Sequence, residues 1–337
     1  MTLKSKLMGT IAAATMLSGA QAALADGHLE EITVAYFLEW PMPFQYAKVN
    51  GTYEEEMGVD INWVAFDTGT AMSAAMASGD VQIAVSQGVP PFVVATSAGQ
   101  DLKAVDVAVS YSENDNCVVS SALEIDKESA GDLAGKKVGV PIGTAAHYGF
   151  LSQMNHFGVD VSTMEVVDMA PAEGAAAFEQ GSLDMVCGWG GALRRMKEHG
   201  NILLTGAEKE ELGILVFDVT SAPAEFVAES PDLLAKFLKV TADANARWNA
   251  GGAEAEEMIP VIAQDAGMDE QSTRDTMATF VFPSPEEQLS EKWLGGGAAE
   301  FMGGVAGVFT EAGSIPSALG TYDDVVDTGA LSAASEM

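Results

Sequence analysis

The chain reads as an α/β protein of two lobes, each a mostly parallel sheet flanked by helices, with a ligand held in the cleft between them. Three observations carry that reading. Short, continuously apolar strands alternate with helical stretches through the first two thirds of the 337 residues, the signature of sheets covered on both faces. A polar run, Tyr111-Ser-Glu-Asn-Asp-Asn, interrupts the alternation once and a second strand–helix series follows it. From residue 222 onward the pattern is nearly all helical.

The elements follow in order. Lys4 and Lys6, an apolar run from Leu7 to Leu17 and small residues ending in Ala23-Leu-Ala before Asp26 have the plan of a secretory leader. The run is shorter than the ~20 apolar residues a spanning helix needs. Residues 1–25 are therefore expected to be removed near Ala25, with Ala22 as the next site, leaving an exported chain. Strands are expected at 31–37, 60–66, 81–86 and 102–109, with helices at 43–57, 69–78 and 89–97 between them. The second series has strands at 117–119, 137–141, 165–168, 185–189 and 202–204, helices at 144–157, 171–180 and 190–199, and a further apolar strand at 213–220. This plan divides the chain into a first lobe of 26–112 plus 219–337 and an inserted second lobe of 113–218.

Composition narrows the partners. The formal net charge is −33, and removing the two leader lysines takes it to −33 − 2 = −35. No basic stripe exists to displace counterions, which excludes nucleic acid. The acids are scattered on helix faces such as Glu54, Glu55 and Glu56, so they describe a solvated surface better than a field aimed at a cationic ligand. The two cysteines, Cys117 and Cys187, have no zinc-site neighbours and in an oxidising compartment form either one disulfide or two free thiols. No cofactor is implied.

Ligands of open α/β sheets sit at the carboxyl ends of strands and between domains. The strand ends here carry Glu39 and Trp40, then Asp67, Thr68, Gly69 and Thr70, then Ser86, Gln87 and Gly88, then Asp115 and Asn116, then Gly143 and Thr144 with His147 one turn later, then Trp189, and finally Asp218. Helix starts at Gly69 and Gly143 present unpaired N–H groups and a positive dipole end, a receptor for a small anion. Asp218 lies inside an apolar strand, where an acid is costly unless a cation or donor meets it. Each residue also has an ordinary structural reading: Trp40 and Trp189 as core, Thr70 and Thr144 as helix caps, Gln87 as a turn brace, His147 as a packed histidine. Taken together they describe a receptor for a small zwitterion. No Gly-x-Ser-x-Gly, no Gly-x-Gly-x-x-Gly, no Walker loop and no metal spacing among the four histidines argues for catalysis, so the chain is not expected to be an enzyme.

The stretches Ile32-Thr-Val-Ala-Tyr, Phe66-Asp-Thr-Gly-Thr, Ala77-Ser-Gly-Asp-Val-Gln-Ile, Gly135-Lys-Lys-Val-Gly-Val-Pro, Thr144-Ala-Ala-His-Tyr and Val216-Phe-Asp-Val resemble the periplasmic solute-binding proteins of the nitrate/sulfonate/taurine ABC-importer group. The likeness runs to about residue 241, and the Thr144 and Asp218 stretches narrow it toward the taurine binders. The resemblance implies a two-lobed periplasmic binding protein fold of type II, a monomer closing by hinge motion and delivering to an inner-membrane permease. It implies a sulfonate held by Gly69, Thr70, Thr144 and His147, and an ammonium facing Asp218 with help from Glu39 or Asn116. The Trp40 and Trp189 faces would add a cation–π contact. It leaves other small sulfonates, nitrate, a quaternary amine, or an exported α/β enzyme as alternatives. This chain departs from the pattern at its aromatic, acidic segment 37–44 and at Cys187, two residues before Trp189. Cys117 lies at the far end of the same cleft wall, and a Cys117–Cys187 disulfide is expected.

Overall fold

The structure is a computed structural model describing residues 29–337; the expected leader and its cleavage site lie outside the described residues. Ten strands form two five-stranded sheets: β1 (Glu31–Phe37), β2 (Asp60–Phe66), β3 (Ile83–Gly88), β4 (Leu102–Ser110), β5 (Asp115–Ser120), β6 (Lys137–Val140), β7 (Glu165–Asp168), β8 (Met185–Trp189), β9 (Gly200–Ile202) and β10 (Phe217–Pro223). The first sheet has the order β2-β1-β3-β10-β4 and the second β7-β6-β8-β5-β9. In both sheets the fourth strand in the order, β10 or β5, runs antiparallel to its two neighbours. The sheets are therefore mixed, four strands pointing one way and one reversed, the arrangement of the periplasmic binding protein fold.

The reversed strands are the ones reached by crossing between sheets. The chain leaves β4, passes Tyr111 and a short 3-10 turn at Ser112–Asn114, and enters β5. It returns after the helix Gly206–Glu211 into β10. The expected strand at 213–220 is placed three to four residues later, because 214–216 form the approach and pairing with β4 begins at Phe217. Phe217 and Asp218, read from the sequence as the end of the second series, thus belong to the first sheet. The strand expected at 81–86 likewise shifts to Ile83–Gly88.

Burial follows the alternation of side chains. Cys117 and Val119 on β5 join a core with Val138, Val140 and Phe150 on one face of the second sheet. Val118 points the other way, into a cluster with Phe178, Val186 and Met196. The first sheet has the larger core, which the C-terminal helices complete: the helices Pro231–Ala250, Gly252–Ala266 and Gly297–Glu311 bury Phe237, Ile262 and Phe309 in it. Cys117 and Cys187 stand directly opposite each other on β5 and β8 and form a disulfide. Among the described residues no helix is long and apolar enough to cross a membrane.

Candidate functional site

A small cavity, about 280 Å³ of atom-free space, lies between the carboxyl ends of the two sheets. Phe37 and Trp40 come from the end of β1, Gly69 from the start of the helix Gly69–Ser78, and Gly88 and Pro91 from the β3 junction. Tyr111 comes from the first crossing, Thr144 and Ala145 from the start of the helix Ala145–His156, Trp189 from β8 and Asp218 from β10. None of these ten residues is basic.

Asp218 is 2 % exposed. Its Oδ2 accepts from Ser86 Oγ at 2.6 Å, and its Oδ1 accepts a short hydrogen bond from the Tyr111 hydroxyl. Ser86 Oγ in turn accepts from Trp40 Nε1 at 2.9 Å. Ser86 meets both partners from a left-handed backbone, φ +60°, which costs a non-glycine residue about a kcal/mol or more. A chain Trp40, Ser86, Asp218, Tyr111 therefore ties the indole wall to the acid. Among the described residues no cationic side chain forms an ion pair with the carboxylate. Burial pushes its pKa up to about 8, against the lowering by the Ser86 and Tyr111 hydroxyls and with a smaller rise from the nearby Asp115 charge. Near neutral pH the acid holds a proton, and a cation entering the cavity displaces that proton.

The opposite wall is made of helix starts. Thr144 is the N-cap residue of the helix Ala145–His156, yet no side chain caps its first turn. The Thr144 hydroxyl instead donates to Pro141 O at 2.6 Å. At the helix Gly69–Ser78 the Thr68 hydroxyl accepts from the Ala71 N–H, which leaves Gly69 and Thr70 without a side-chain cap. The two turns meet: a Cβ on Gly143, at φ +78°, would stand 3.2 Å from Thr70 Cγ2. Uncapped N–H groups and two converging dipoles suit an anion that stays ionised without a basic partner.

The other expected residues have partners of their own or lie off the cavity wall. Gln87 does not line the cavity: wholly buried, it donates from Nε2 to Gly69 O at 2.9 Å and to Ser73 Oγ at 2.6 Å, and accepts from Ser221 Oγ at 2.5 Å. It braces the Gly69 turn. Asn116 also points away, donating to Leu204 O at 2.7 Å and accepting from Cys117 N at 2.9 Å. Glu39 is absent from the cavity wall and forms a two-pronged ion pair with Arg195, Oε1 to Nη1 2.7 Å and Oε2 to Nη2 3.1 Å. The Thr70 hydroxyl is 2.9 Å from that of Thr68. His147 Nδ1 accepts from the Gly143 N–H at 3.2 Å, so its ring proton sits on Nε2, and the ring stacks on Phe309 with centroids 5.2 Å apart. Burial pushes its pKa down to about 4, so His147 is neutral at physiological pH and acts on the Gly143 turn. Trp40, Gly69, Thr144, Trp189 and Asp218 do line the cavity.

The sequence reading gathered Ser86 and Asp115 among the strand ends but gave neither a part in the site, and it gave Tyr111 none. Two of these are matters of phase. Ser86 and Gln87 are neighbours on one strand and face opposite ways, and so are Asp115 and Asn116. Asp115 is paired directly across from Trp189, which puts it on the cavity side of the second sheet. Its Oδ2 is buried without a hydrogen-bond partner, and burial pushes its pKa up to about 7 against the pull of the Lys209 ammonium. Lys209 itself is buried and donates to the Asp115 backbone carbonyl. Tyr111 was visible only as part of a polar break.

A second, wider recess of about 1140 Å³ opens beside the cavity and shares Phe37 and Trp189 with it. The Phe37 and Trp189 rings, with centroids 6.1 Å apart, stand between the two spaces.

Residues 41–250 match the NMT1/THI5-like family, and the chain belongs to it. Among proteins of described role, it is 26% identical over 298 residues to the taurine-binding periplasmic protein of Escherichia coli K12, an alignment covering 88% of this chain and 91% of that one. It is 27% identical over 246 residues to a putative aliphatic sulfonates-binding protein of Bacillus subtilis 168, covering 71% and 72%. Among solved structures, the periplasmic aliphatic sulphonate binding protein SsuA of Escherichia coli superposes with a TM-score of 0.69 at 20% identity, covering 88% and 91%. The alkanesulfonate-binding protein SsuA of Xanthomonas axonopodis pv. citri, bound to MOPS, gives 0.71 at 19%, covering 89% and 98%. These likenesses establish the periplasmic binding protein fold.

Proposed function

We propose that this chain is the periplasmic solute-binding component of an ABC importer and that its guest is a small aminosulfonate, taurine (2-aminoethanesulfonate) or a close relative. The observation that carries the reading is Asp218, a buried acid with no cationic partner among the described residues, in a cavity also lined by the starts of two helices, of which the one at Thr144 has no side-chain cap, and by no basic side chain. A guest with an ammonium at one end and a permanently ionised group at the other satisfies both walls. The taurine-binding and sulfonate-binding relatives support the same choice.

The two sheets are the cores of two lobes, the second inserted between the two parts of the first, and the crossings at Tyr111–Asp115 and 212–216 are the hinge strands. The guest is captured as the lobes close and handed as a monomeric complex to an inner-membrane permease, the leader having been removed on export. Calorimetric titration with taurine, hypotaurine, isethionate, nitrate and glycine betaine tests the reading. Taurine is expected to bind tightest. Equal affinity for isethionate, which replaces the amine with a hydroxyl, would remove the ammonium role of Asp218.

One observation favours a second reading. Phe37, Trp40, Tyr111 and Trp189 line the same cavity as the acid, which also suits a quaternary amine without a sulfonate. Glycine betaine binding above taurine in the same titration would select it.

A further inference from the structure

Glu39 stands at the turn after β1 in a left-handed backbone, φ +54°, a conformation a glutamate adopts only when its surroundings hold it there. Three contacts do so. Its N–H donates to Ala266 O at 2.8 Å, its carbonyl accepts from the Gly191 N–H at 3.2 Å, and its carboxylate grips the Arg195 guanidinium with both oxygens. The first contact is to a helix packed on the first sheet. The other two are to the helix Gly190–Lys197, which follows β8 of the second sheet. Glycine is required for this approach: a Cβ at Gly190, φ +56°, would lie 2.6 Å from Glu39 O, and one at Gly191 would lie 3.1 Å from Glu39 Cβ. The residue after Glu39 is Trp40 and the residue before Gly190 is Trp189, so the junction lies between the two indole walls of the cavity.

We infer that Glu39 and Arg195 form a positioning clasp, which joins the two sheets at the mouth of the cavity, seats Trp40 and Trp189, and sets how fast a guest leaves without touching the guest. The inference rests on the two-lobe binding reading above and extends it to the release step. A bidentate guanidinium–carboxylate pair has the fixed geometry that a single lysine contact lacks, so it holds orientation as well as distance. Both side chains are a little over one third exposed, so water can compete for the pair and the clasp can open at each cycle of binding.

The test is stopped-flow indole fluorescence with taurine as the probe, on the full chain. Glu39→Gln and Arg195→Ala are expected to speed taurine release by roughly 5- to 30-fold while leaving the association rate within about twofold. The reversed pair Glu39→Arg with Arg195→Glu is expected to restore most of the slow release, because the clasp needs opposite charges and not a particular side chain at either end. Unchanged release from Arg195→Ala overturns the inference. So does a reversed pair as fast as Glu39→Gln alone, since Glu39 would then act on the guest's amine. Should the wild-type chain take up neither taurine nor isethionate, the aminosulfonate reading falls while the clasp is still decided by urea unfolding of the ligand-free wild type, the two single variants and the Glu39→Gln/Arg195→Ala double variant. Non-additive midpoints support the clasp and strictly additive ones overturn it.

Discussion

Replacing Asp218 by Asn changes one atom and separates two consequences of burying an acid. Folding raises the acid's pKa from 3.8 to about 8, so between those values the folded chain holds a proton that the unfolded chain has released. Stability then falls as pH rises through that window, at up to about 1.4 kcal/mol per pH unit. Asn cannot ionise and escapes the slope. The advantage of Asp218→Asn over wild type should therefore grow from pH 4 to pH 8 and level off above it, with a ceiling of about 6 kcal/mol. The loss of an acceptor is separate: Ser86 and Tyr111 can both donate to the ionised acid, whereas Asn, like the protonated acid, presents one carbonyl acceptor. The slope is thus the readout. Urea unfolding of both proteins at pH 5, 6, 7 and 8, after denaturing dialysis to strip bound solute, measures it, and the other titrating groups cancel in the difference. Two curves that stay parallel across this range would refute the reasoning. The same variant should lose about 1.5–3 kcal/mol of taurine affinity, the scale of a charge-assisted hydrogen bond. A gain in stability coupled to a loss in binding marks an acid kept for its guest.

Three further outcomes follow from the site and the fold. Taurine binding should release protons below pH 8, since the ammonium replaces the proton on Asp218; calorimetry in two buffers of different ionisation enthalpy reads the count, and affinity should rise with pH up to about 8. His147→Ala should weaken binding through the loosened Gly143 turn by an amount independent of pH from 6 to 8, because burial already holds His147 neutral there; a pH-dependent loss in isothermal titrations would give the imidazole a charged role instead. Converting Cys117 and Cys187 together to Ala opens a 70-residue closure and should cost about 2–4 kcal/mol of stability by urea denaturation, with little change in taurine affinity because neither sulfur lines the cavity.

The repeated strand and helix patterns were legible in the sequence because they record local physics. Apolar runs such as Ile32–Phe37 and Ile83–Val85 must be covered on both faces, and the break at 111–116 marks the crossing between the two sheets, although Tyr111, Asp115 and Asn116 within it are buried. The two helix starts at Gly69 and Gly143 were legible for the same reason, since a strand, a tight turn and a first helical turn are contiguous in the chain. Asp218 could be singled out because an acid in an apolar strand is conspicuous wherever it ends up.

What the tertiary structure decided is which neighbour faces the cavity and what each polar group has already spent its bonds on. Ser86 against Gln87 and Asp115 against Asn116 are each a one-residue choice. Strand phase is set by pairing with β10 and β8, which are distant in sequence. Glu39 reads as a free acid at a strand end until the fold brings Arg195, 156 residues away, onto it. Thr144 has a donor a guest would need, but the Pro141 carbonyl takes it first, and the Gly143 N–H occupies the Nδ1 acceptor of His147. Residue types are local, whereas the occupancy of a donor or acceptor depends on every element that packs against it; the kinds of chemistry at this site were therefore written in the sequence, and their assignment to particular atoms came only with the fold.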